Sequence, residues 1–85
     1  MTAAARTENG LARLETRYVK TATENDELRD ERFALMADLY LNHGWSQMEI
    51  TATINRARVA VGAEPVKVDA VQKSIARYRI AHGLV

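Results

Sequence analysis

Between Leu11 and Asn42 the chain has neither proline nor glycine. That run is rich in Glu, Arg, Leu and Ala, which are strong helix formers, and it predicts one long helix. At ~1.5 Å per residue such a helix would be about 48 Å long, more than a domain of this size can cover by itself. It stops at Asn42, His43 and Gly44, where a glycine can take the left-handed conformation past a helix end. A new helix has to start at once. In "WSQMEI" Ser46 can be the N-cap, Glu49 can complete a capping box with it, and Trp45 can staple onto Ile50. The chain therefore turns a corner around residues 43–46, and everything after it packs relative to that corner.

The length of the first helix asks for a partner. Leu11, Leu14, Tyr18, Thr21, Asn25, Leu28, Arg32, Leu35 and Leu39 are spaced alternately by three and four, the a/d seam of a coiled coil. Asn25 would then hold the register of a homodimer, with Leu11, Leu14, Tyr18, Asn25, Leu28 and Leu35 as its dimerisation surface. The other readings are a helix that simply bends back on the rest of the chain, or one broken near "KTATEND". From Phe33 onward the apolar residues multiply too broadly for a two-helix seam, so a compact domain is expected over residues 33–85. Residues 1–10 are expected as a flexible N-terminus and 11–32 as the helical, dimerising segment.

Two more helices follow. One runs from Gln47 to about Val61, with Ile50, Ile54, Ala57 and Val61 on one face and Gly62 beyond its end. After "GAEPVK", where Pro65 disfavours helix at Glu64, the other runs from Asp69 to about His82. Asp69 is its expected N-cap, with Gln72 in the capping-box position, and Leu84 is expected to tuck under its end. The predicted fold class is all-α: a long N-terminal helix followed by a compact helical domain.

Composition sets the function classes. At 85 residues the chain is a single small domain, marginal alone, which dimerisation would help. It has no cysteine, hence no disulfide frame and no cysteine-based zinc site. No apolar run is long enough to span a membrane, no secretory leader is seen at the start, and a cytoplasmic protein is expected. The overall charge of +1 conceals an asymmetry: residues 1–45 carry a net −2 and residues 46–85 a net +3. An anionic partner would meet the C-terminal half. Catalysis has little to use. His43 and His82 each sit beside a helix-ending glycine, where the helix dipole favours them, and no metal or phosphate-binding motif is present. The chain reads as a non-enzyme without cofactor or metal.

The last helix carries more. At ~100° per residue, Val71, Ile75, Tyr78 and His82 fall on one side. Lys73, Ala76, Arg77 and Ile80 lie opposite, flanked by Gln72 and Arg79. Arg and Lys can bond guanine, Gln can bond adenine, and Ala or Ile can touch a thymine methyl. Lys67, Ser74 and Arg79 have the chemistry to hold phosphates.

The segment "WSQMEITATINRARVAVGAEPVKVDAVQKSIARYRIAHGL" resembles the helix-turn-helix family in its homeodomain-like or Myb-like form. "S-x-x-E-I" resembles the opening of the scaffold helix, and "VDAVQKSIARYR" resembles the recognition helix. The resemblance implies that the third helix enters the major groove of double-stranded DNA. Gln72, Lys73, Ala76, Arg77 and Ile80 would meet bases. Lys67, Ser74 and Arg79 would meet phosphates, with Arg56 or Arg58 available on the helix before. The chain departs from the family in its longer connection between these two helices, since the tight form uses three or four residues. Small size and the lack of an effector domain fit a phage or mobile-element regulator. The competing expectation is a small adaptor or inhibitor that binds a host protein through the long N-terminal helix.

Overall fold

The computed structural model describes residues 2–21 and 26–84; the side chains of residues 20, 21 and 26–28 are outside that description. Four helices and no strand make up the described residues: α1 (Ala3–Thr21), α2 (Asp26–Asn42), α3 (Gln47–Ala60) and α4 (Val68–Ala81).

The expected single helix over 11–42 is two helices running antiparallel. Thr7 Oγ1 donates to Asp38 at 2.8 Å, and Arg32 forks onto Glu15. The partners thus draw together along the chain from 31 to 17 residues apart, as in a hairpin. The physical reason lies in the leucines. A straight helix leaves its apolar stripe in water, whereas folding back buries Leu11 and Leu14 within the same chain. The proposed dimer seam is taken up in this way. Leu11, Leu14 and Leu39 are buried, Leu35 packs against the core, and Tyr18 lies under the Arg32 guanidinium at 4.1 Å. Asn25 lies outside the described residues, as do the side chains of Thr21 and Leu28.

The domain boundaries shift with it. Residues 3–10, expected to be flexible, form the first turns of α1. There Thr2 Oγ1 accepts from the N–H of Ala5, and Glu8 binds Thr53 at 3.2 Å and Arg56 at 3.0 Å. Nor does a domain begin at residue 33. Leu11 shares one core with Met36, Leu39, Ile50, Ile54, Val71 and Ile75, so all four helices close a single cluster.

A buried charge sits where α1, α2 and α3 meet. Glu15 is fully buried; it accepts from Arg32 Nε and Nη2 and, at 2.9 Å, from Arg58 Nη1. A buried carboxylate with one cation from each neighbouring helix orients three elements at once.

The corner matches its sequence signals. Gly44 adopts φ +69°, and Ser46 and Glu49 exchange both capping-box hydrogen bonds at 3.1 Å. Trp45 is half-buried against the cluster that contains Ile50. At the end of α3, Gly62 at φ +77° lets Ala63 donate to the Arg58 carbonyl and Gly62 to that of Val59, a Schellman closure. Past α4, Leu84 is 48% exposed and does not tuck under. His82 is also exposed, stacked on Tyr78 with ring centroids 4.2 Å apart. Among the described residues, α1 and α4 each pack on both α2 and α3 but not on each other, so they occupy opposite corners of the bundle.

Candidate nucleic-acid interface

The outer face of α4 is built by what its inner face buries. Val71 and Ile75 are sealed in the core, and Tyr78 is half-buried beside them. The helical period then turns Gln72, Lys73, Ala76, Arg77 and Ile80 outward, and all five are exposed, Ile80 by 68%. Asp69 is exposed in the first turn of the same helix. Sequence reasoning made Asp69 the N-cap with Gln72 as its box partner. The cap is instead Lys67, extended at φ −86° and ψ 155° with no side-chain cap bond. This places Asp69 inside the helix, on the outward face one turn before Lys73. A carboxylate has the chemistry to accept from cytosine N4.

The start of α4 is held from below by α3. The Asn55 amide binds the backbone of Val66 twice, donating to its carbonyl at 3.0 Å and accepting from its N–H at 2.8 Å. Arg58 Nε donates to the Glu64 carbonyl in the same connection. These bonds tie the seven residues between α3 and α4, longer than a tight turn, to the scaffold helix. Asn55 had no signal in the local sequence, because its partner lies 11 residues on.

The expected phosphate contacts divide. Lys67 is exposed. Ser74 donates its hydroxyl to the Ala70 carbonyl one turn back, which leaves the oxygen able to accept but commits its proton. Arg79 is half-buried, with Nε enclosed and without a protein partner. Arg56 is exposed but paired with Glu8 and Thr53. Arg58 is withdrawn from the expected role: it is held by Glu15 and the Glu64 carbonyl, with a side chain only 19% exposed. A recess of about 620 Å³ opens between α2 and α4 beside Arg77, lined in part by Phe33, Ala34, Tyr78 and His82.

Comparison of the chain with protein-family models, with curated proteins and with solved structures finds no match. Among the described residues, no helix is long and apolar enough to cross a membrane.

Proposed function

We propose that this protein is a sequence-specific DNA-binding protein of the small-regulator type, with α4 read into the major groove. One observation carries the reading. On a single helix, residues able to bond guanine, adenine and the thymine methyl form one continuous exposed face, while Val71 and Ile75 anchor the opposite face in the core. The chemistry of this face matches the resemblance of the sequence to the helix-turn-helix family. Lys67 at the start of α4 supplies an exposed cation for the backbone. The competing adaptor reading used the long N-terminal helix as its surface; Leu11 and Leu14 of that helix are buried in the chain's own core.

The test is selection from a random duplex library, followed by affinity measurements on the enriched site. One motif should be enriched. Arg77→Ala should fold normally, lose ~1–3 kcal/mol of affinity for that site and relax preference at one base position. Enrichment of no motif, or equal affinity for site and scramble in the wild type, would remove this reading.

A further inference from the structure

The charges of α1 are sorted by face. Its two acids, Glu8 and Glu15, both point into the bundle, where they meet Arg56, Arg32 and Arg58. Arg6, Arg13 and Arg17 are all exposed and form no ion pair among the described residues. Their spacings of seven and four bring them within ~20° of one line along the helix, a ridge about 16.5 Å long. Against a duplex strand with one phosphate per ~3.4 Å of axis, that length passes four or five phosphates. Ridge and reading face also lie on different corners of the bundle, because the backbones of α1 and α4 do not approach each other.

From this we infer that the Arg6–Arg13–Arg17 ridge is a second duplex-backbone surface, and that a copy seated on DNA through α4 presents it to another segment of duplex. The protein is then a DNA-bridging protein as well as a site reader. The inference rests on the reading of α4 given above. Three arginines release few counterions, so one ridge holds a second duplex only weakly. Several copies seated side by side present many ridges together, and their avidity makes the bridge.

The net charge of +1 hides such an arrangement, because acids elsewhere in the chain offset the three arginines in the sum. The face chooses its partner by type. It displays guanidinium groups suited to phosphate and no apolar residue suited to a protein groove.

The experiment uses the full chain. Site selectivity and the salt dependence of affinity are first measured on short single duplexes, which judge α4 alone. A bead-bound duplex with tandem copies of the selected site is then loaded with protein and offered a second, labelled duplex of unrelated sequence at ~50 mM salt. Wild type should capture it. The variant Arg6→Gln/Arg13→Gln/Arg17→Gln should keep its site preference and its melting temperature but lose capture at least tenfold. The triple Lys replacement, which keeps the charge, should retain most of it.

At ~0.9 per phosphate, three contacts add about 2.7 to the salt slope of capture. That corresponds to a ~40-fold fall between 50 and 200 mM beyond the fall shown by the Gln variant. Undiminished capture by the Gln variant overturns the proposal, since two α4 faces of a dimer would then explain bridging. It is also overturned if the Gln substitutions leave capture unchanged but abolish binding to vesicles of anionic lipid. The same holds if they abolish only self-association, which would seat the ridge on the acidic 24–31 segment of another copy. If wild type shows no site preference yet the Gln variant loses duplex affinity, the reading of α4 falls and the ridge stands.

Discussion

Glu15 shows what a single residue can hold together. Its carboxylate is fully buried and receives three hydrogen bonds from two arginines on different helices. Removing it leaves Arg32 and Arg58 facing each other without an anion, in a site where neither is well hydrated. Glu15→Ala should therefore cost ~3–5 kcal/mol, the usual price of breaking a buried pair from one side, measured by urea unfolding. Asp38 plays a lesser part nearer the surface. Donation from Asn42 Nδ2 is the main force holding its carboxyl below the ordinary 3.8; Thr7 and the neighbouring His43 add to it, and partial burial opposes. Because the folded pKa is depressed, this stabilisation is complete above the unfolded value, about pH 4, and is lost as pH falls through the folded one. The stability gap between wild type and Asp38→Asn should thus narrow as pH drops from 5 to 3. A gap that stays unchanged at pH 3 would show that Asp38 makes no such contribution.

At the scale of elements, α1 is the piece whose standing changes most. Residues 3–10 hold helical structure and dock through Glu8 on Thr53 and Arg56. Gly10 lies inside this helix facing α2, and a Cβ placed on it would sit 3.8 Å from Leu35 Cδ1, an ordinary contact. Glycine inside a helix costs about 0.5–1 kcal/mol relative to alanine. Gly10→Ala should consequently stabilise the protein by about that amount in thermal or urea unfolding. Were residues 1–10 flexible, the same substitution would leave stability unchanged. The corner at Gly44 and both ends of α3 were legible because each is signalled by neighbours in sequence, as in the Ser46–Glu49 box; the start of α4 was misplaced, because Lys67 caps it with no side-chain bond. A break near "KTATEND" was an open alternative that nothing local could decide, since no proline or glycine marks it and what favours it is the burial of Leu11 and Leu14 by distant residues.

For the whole molecule, the closed core bears on assembly. Leu11 and Leu14 are buried among the chain's own helices, so they offer nothing to a second copy. Leu14→Glu should accordingly lower the melting temperature by the same amount at every protein concentration, because the charge enters a monomer core. Sedimentation equilibrium at micromolar concentration should give a monomer mass. A dimer whose dissociation is sharpened by Leu14→Glu would reverse this account.

What the sequence determined by itself was local: the all-helical class, the corner at Gly44–Glu49, the extent of α3 to within a residue, and the outward face of α4. Each depends on backbone caps and on the helical period, which act over three or four residues. Tertiary structure decided the rest. Arg58 and Arg77 are the same side chain on amphipathic helices with similar neighbours. Only the fold brings Glu15, 43 residues away, against Arg58 and leaves Arg77 in solvent. Periodicity assigns a residue to a face, but which faces meet depends on how the whole chain covers its apolar surface, and that choice separates a buried ion pair from an exposed arginine.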